Sequence, residues 1–71
     1  MALTKQIRTD ILKGIIAECE QYGYRALMSA SISKSLGNAE EMKKYEATAN
    51  DLLLKQNEAE KLLKAEEATV A

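Results

Sequence analysis

The chain has 71 residues, a formal net charge of −1 and no proline, histidine, tryptophan or phenylalanine. Because it has no histidine and only one cysteine, Cys19, an internal disulfide and the usual thiolate or imidazole zinc site are excluded. No apolar run approaches the length of about 20 residues that crosses a bilayer. We therefore expect a cytoplasmic protein with no membrane association.

The composition favours helices, because alanine, leucine, glutamate and lysine, which have high helix propensity, dominate the chain. The predicted fold class is all-α, as a helical hairpin or a three-helix arrangement that forms a single domain over residues 1–71. A core in a chain of this size seldom contributes more than about 3 to 5 kcal/mol. For this reason we expect a homo-oligomer with coiled-coil-like packing.

The clearest periodic pattern predicts a first helix over about residues 4–22. Thr4 suits the N-cap position, since its hydroxyl can accept a hydrogen bond from a free amide of the first turn. Gly14 lies inside this helix and is predicted to mark a close approach of another backbone. Apolar residues at spacings of three and four form one stripe, namely Ile7, Ile11, Leu12, Ile15, Ile16, Cys19 and Tyr22. The predicted core takes four of them, Ile7, Ile11, Ile15 and Cys19.

The next segment permits two interpretations. Gly23 favours a break or kink followed by a helix over about residues 25–36, but one helix running through to Leu36 stays open. Serines alternate with other residues from Ser29 to Ser35, a pattern that also suits a strand, although the chain offers no second strand to pair with it. We predict a helix here, with Leu36 in the core.

A helix end and a helix start are predicted at Gly37 and Asn38. Glycine suits the position just past a helix end, and asparagine suits the N-cap of the next helix. Glu40 and Glu41 then fall in the first turn, where negative charge interacts favourably with the helix dipole. The last helix is predicted over about residues 39–67.

The last helix carries a heptad pattern that predicts helix packing. Its members are Met42, Tyr45, Ala49, Leu52, Gln56, Ala59 and Leu63, of which we assign Met42, Tyr45 and Leu63 to the core. Three consecutive leucines span about 200° of the helix circumference, more than one hairpin partner can cover. We therefore predict an oligomer interface formed by Leu52, Leu53, Leu54 and Leu62.

No set of residues forms a catalytic constellation, so we expect no enzyme activity, no metal and no cofactor. The leading functional hypothesis is a non-enzymatic protein–protein interaction module, such as an adaptor, an inhibitor or an assembly subunit. Its expected partners are itself and another protein. Chains of this size are common among phage-encoded and small regulatory proteins, and a viral source is one expectation.

The alternative hypothesis is an oligomer that binds a small anionic ligand, such as a nucleotide, between its subunits. It depends on Tyr22, Tyr24 and Arg25, because two phenols and a guanidinium can stack on a base and bind an anion. The simpler interpretation is packing, with Tyr22 completing the core while Tyr24 and Arg25 cover a helix end.

A third hypothesis follows from a resemblance. The stretch Ile11, Leu12, Ala17, then Gly23–Tyr24, then Ile32 to Gly37, resembles the opening of a tetracycline-repressor-type helix-turn-helix domain and covers about half of the chain. The resemblance implies a DNA-recognition helix after Gly37. The pattern departs from that family at Asn38, where an apolar residue is expected, and at Lys43 and Glu46, which should pack inward. Glu40 and Glu41 would bring negative charge toward phosphates, so nucleic acid is not a favoured partner.

Overall fold

The computed structural model describes residues 3–69 as an antiparallel helical hairpin. Helix α1 spans Lys5–Ser35, and helix α2 spans Ala39–Ala68. The molecule is a rod of 54 × 16 × 15 Å. The turn lies at one end, which we call the loop end, and Lys5 and Thr69 lie at the other, which we call the open end. Within residues 3–69 neither helix is long and apolar enough to cross a membrane. The predicted all-α fold is confirmed, and of the two predicted arrangements, a hairpin and three helices, the structure has the hairpin.

Helix α1 begins where the sequence predicts. The Ile7 amide donates a hydrogen bond of 3.2 Å to Thr4 Oγ1, so Thr4 is the N-cap. The helix then continues through Gly23 without interruption. A Cβ at Gly23 would lie 4.0 Å from Leu52 Cβ of α2, so this glycine faces the partner helix. Packing along α2 offsets the propensity cost of about 1 kcal/mol for a glycine inside a helix.

The prediction of a break at Gly23, with a separate helix over about 25–36, is therefore wrong. A helix-turn-helix requires a turn between two shorter helices. The resemblance requires a separate short helix between Gly23 and Gly37, whereas residues 5–35 form one long helix, so the implied arrangement is not formed in the part of the chain that the structure describes.

The turn between the helices has the geometry that its sequence predicts. Gly37 has φ 75°, and the amides of Gly37 and Asn38 donate to the carbonyls of Lys34 and Ser33, which is a Schellman motif. Asn38 Oδ1 accepts from the Glu41 amide at 3.0 Å, and Asn38 Nδ2 donates to the Glu41 carboxylate at 2.9 Å. Both caps satisfy backbone groups that the helix ends leave free.

The heptad pattern predicted for α2 is confirmed as the seam that contacts α1. Ala49 and Ala59 are buried, and the other members are half-buried. Those other members are Met42, Tyr45, Leu52, Gln56 and Leu63.

The seam of α1 is different from the predicted stripe. It runs in one register along the whole helix, through Thr9, Leu12, Ile16, Cys19, Gly23, Ala26, Ala30 and Ser33. Its fully buried members are small, and none of the large side chains in residues 3–69 is fully buried. The two helices are thus joined mainly through alanine, cysteine, serine and threonine on the α1 side.

Four predicted core residues lie outside this seam. Ile7, Ile11 and Ile15 are 45%, 49% and 41% exposed, and Leu36 in the turn is 79% exposed, whereas Cys19 is buried as predicted. The three isoleucine assignments are wrong for the hairpin because a step of four residues drifts away from a seam that alternates three and four. Leu36 fails for another reason, since it follows the last turn of α1.

The predicted close approach at Gly14 is also wrong. A Cβ at this position would meet no atom within 4 Å, and the residue is exposed. Gly14 therefore weakens α1 without a packing function in the hairpin.

Two glycine substitutions should change stability in opposite directions. Gly14→Ala should raise the free energy of unfolding by about 1 kcal/mol, because the added methyl group improves helix propensity and has space. Gly37→Ala should lower it by about 1 to 2 kcal/mol, because the left-handed conformation strains a residue with a Cβ. Urea unfolding at one fixed protein concentration checks both. Shifts of the same sign would contradict this assignment of the two sites.

The small residues of the α1 seam should resist enlargement. Ala30 is 5% exposed, so Ala30→Leu should overpack the seam and cost about 1 to 3 kcal/mol. Ala47→Leu is the matched control, because Ala47 lies on the exposed surface of α2 and should change stability by less than about 0.5 kcal/mol. Thermal unfolding of both variants measures the difference. A seam that accepts leucine at no cost would contradict the close packing.

Candidate functional site

Polar contacts fix the register of the two helices and close the open end. Arg8 Nε lies 2.9 Å from Glu66 Oε1, and the Arg8 guanidinium also donates to the Leu3 carbonyl. Lys5 Nζ donates to the Thr69 carbonyl at 2.7 Å, which places positive charge at the C-terminus of α2, where the helix dipole favours it. We call these contacts the open-end clamp.

A continuous apolar surface lies beside the open-end clamp. Two adjoining depressions share Leu12 and Leu62, one reaching to Leu3 and Ile11 and the other to Ile15 and Leu54. Five of these side chains are 41% to 63% exposed. We call this surface the open-end patch, and its residues are Leu3, Ile11, Leu12, Ile15, Leu54 and Leu62.

Helical spacing explains why the two helices present these side chains together. Ile11 and Ile15 are four residues apart on α1, and Leu54 and Leu62 are eight apart on α2, so each pair lies on one side of its helix. The charged groups at the edge are Lys55 and Glu58, together with the Arg8–Glu66 ion pair. An apolar centre with a charged rim is the anatomy of a protein interface.

A second and smaller surface lies on the opposite side of the rod, near its middle. Ile15 comes just before the seam residue Ile16, and Leu27 comes just after the seam residue Ala26. A residue just before a seam position and a residue just after one lie on opposite sides of the seam. Leu27 lines a groove with Tyr24 and Leu53, which are 51%, 65% and 54% exposed in that order. The waist groove, as we call it, consists of Cys19, Gly23, Tyr24, Leu27, Ala49 and Leu53, with Glu20, Asn50 and Gln56 at its rim.

The four leucines predicted as one interface do not share one surface. Leu52 is half-buried in the α2 seam, and Leu53 lines the waist groove. Leu54 and Leu62 belong to the open-end patch. Consecutive residues are about 100° apart on a helix, so Leu52, Leu53 and Leu54 point in three different directions.

The hairpin does not bring Tyr22, Tyr24 and Arg25 together into a site. Tyr24 lines the waist groove, whereas Tyr22, two residues earlier, points about 160° away around the helix. Tyr22 is 52% exposed and so does not complete the core, which the packing interpretation required. Tyr22 and Arg25, three residues apart, share the side of the open-end patch.

Metal-binding and nucleophilic side chains are few in the part of the chain that the structure describes. No group of three cysteine, aspartate or glutamate side chains there is arranged to hold a metal ion. Cys19 is a free thiol that is 7% exposed and packs in the seam. In this position it acts as a small apolar residue between the helices.

Comparison with known proteins adds no relative. No family model matches the chain, and no curated protein and no solved structure matches it significantly. Any functional proposal therefore depends on the open-end patch and the waist groove.

Proposed function

We propose that this protein is a non-enzymatic interaction module that acts as a homo-oligomer through its open-end patch and binds another protein at its waist groove. The open-end patch is the observation that carries the proposal, because five large apolar side chains, each 41% to 63% exposed, lie together on one side of a small hairpin. Contiguous apolar surface of this kind marks interaction sites.

The shape of the hairpin supports self-association. Its accessible surface is 5566 Å², whereas a compact monomer of 7.8 kDa would expose about 4,400 Å². Its radius of gyration is 16.1 Å, against about 11 Å for a compact chain of this length. The excess surface is on the order of what a stable protein interface buries.

The free energy of burying apolar surface also favours self-association. Full burial of a leucine or isoleucine side chain contributes about 1.5 to 3 kcal/mol, and each exposed member of the open-end patch is already about half covered. Covering it in an assembly should then contribute about 1 kcal/mol per residue. No large side chain in residues 3–69 is fully buried in the isolated hairpin, so this contribution is substantial beside the few kcal/mol that a small domain has in total.

The arrangement favours the interaction module over a binder of small anions. The groove that holds Tyr24 has the carboxylate of Glu20 at its rim, and a carboxylate repels an anionic ligand. Arg25, the cation of the predicted cluster, is not among the residues that line this groove.

Charge placed in the open-end patch should dissociate the oligomer. Ile15→Glu and Leu62→Glu should each shift the mass to 7.8 kDa at micromolar concentration, because assembly would bury an unpaired carboxylate. Met28→Glu is the matched control, since Met28 is 42% exposed but lines neither surface. Size-exclusion chromatography with light scattering measures the mass. A wild-type monomer with a cooperative unfolding transition would refute self-association.

A charge placed in the waist groove should weaken binding of the second protein. Leu53→Glu should leave the oligomer mass unchanged while it reduces capture of the protein that wild-type chain retains from its native host, by about tenfold or more. Met28→Glu again serves as the control. Equal capture by the wild type and by Leu53→Glu would remove the waist groove from the proposal.

A further inference from the structure

We propose that the open-end patch pairs with the same patch of a second copy, with both loop ends at the same end of the assembly. The two-fold axis then runs along the rods, and α1 of each copy faces α2 of the other. This inference rests on the proposed homo-oligomer and adds its geometry. It specifies what binds the open-end patch and how the two rods are oriented relative to each other.

The area of the rod favours this arrangement. Two rods side by side in register can share a face 54 Å long and 16 Å wide, on the order of the 800 Å² per partner found in stable interfaces. In an arrangement with loop ends apart and the axis at the patch, only the open-end halves overlap. The shared face would then be about half as large and below the usual size.

The distribution of charged residues disfavours the other full overlap. If the rods were reversed end for end about their middle, each open-end patch would face the loop half of the other copy. That half presents Glu40, Glu41, Lys44 and Thr48, which line a polar depression. In that arrangement α2 faces α2 of the other copy, so Leu62 would cover charged groups and remove them from water, at a cost in free energy.

Side chains match in the arrangement with loop ends together. Gly23 of α1 lies beside Leu52 of α2, and Arg8 lies beside Glu66, so positions at equal height along the rod are known. At equal heights Ile11 and Ile15 face Leu62 of the second copy. Tyr22, which is 52% exposed, likewise faces Leu54 of the second copy.

Charges on the same side are also complementary. Arg25 faces Asp51 of the second copy, and neither residue takes part in an ion pair within residues 3–69. Glu18 faces both Lys55 and Glu58 of the second copy, and Glu58 is already paired with Lys61 of its own helix at 3.1 Å. The axis repeats each contact, so one matched pair acts twice in the dimer.

Spin-label distances test the direction of pairing. Ser35→Cys labels the loop end and Ala68→Cys the open end, both in a Cys19→Ala background, and circular dichroism confirms that the background folds. We expect both labels to give intermolecular distances within about two rod widths of 16 Å. A loop-end distance of one rod length, 54 Å, or more would overturn the inference.

Charge reversal tests the same geometry independently. Arg25→Asp and Asp51→Arg should each weaken dimerisation by about tenfold, and the double variant should restore it, because the reversed pair attracts again. Lys43→Asp is the control, with the same change of charge as Arg25→Asp at a position that lies on the waist-groove side of α2. Absence of rescue in the double variant would overturn the pairing.

Light scattering separates the two levels of the proposal. A wild-type mass of 7.8 kDa in the same samples would refute the homo-oligomer itself. A dimeric mass with distant loop-end labels would refute only the direction of pairing.

Discussion

A pair of helices can bury only one stripe of each, and the rest of this structure depends on which stripe α1 uses. The most buried residues of this stripe are small, among them Cys19, Ala26 and Ala30, and they let the two backbones approach closely. The large residues Ile11 and Ile15 are therefore displaced to the side of the hairpin. The stripe of α1 that packs against α2 therefore determines two features, the close contact between the helices and the exposure of the open-end patch.

Much of the fold could be predicted because its signals are local. Thr4 and Asn38 cap helices through their own side chains, and Gly37 adopts its left-handed conformation with bonds to residues a few positions away. The α2 seam was also predictable, since its pattern of three and four recurs from Met42 to Leu63. Such features need no knowledge of the partner helix.

The α1 seam could not be predicted by hydrophobicity alone. The strongest apolar residues form a short stripe near Ile11, whereas the true seam shares only Leu12, Ile16 and Cys19 with that stripe and continues past Gly23 through small residues. A search for small residues at heptad spacing would have found it. The Tyr22, Tyr24 and Arg25 cluster failed because closeness in sequence was taken as closeness in space, although residues two apart on a helix point in nearly opposite directions.

The Schellman turn at Gly37 also has a consequence for the order of folding. Its hydrogen bonds join residues at most five positions apart, so the turn closes at a small entropic cost and the helices can zip together from it. The contact between Lys5 and Thr69 spans 64 positions, so it closes a much longer loop at a larger entropic cost. The open-end patch takes side chains from both helices, so it is complete only when the open ends of the helices have met.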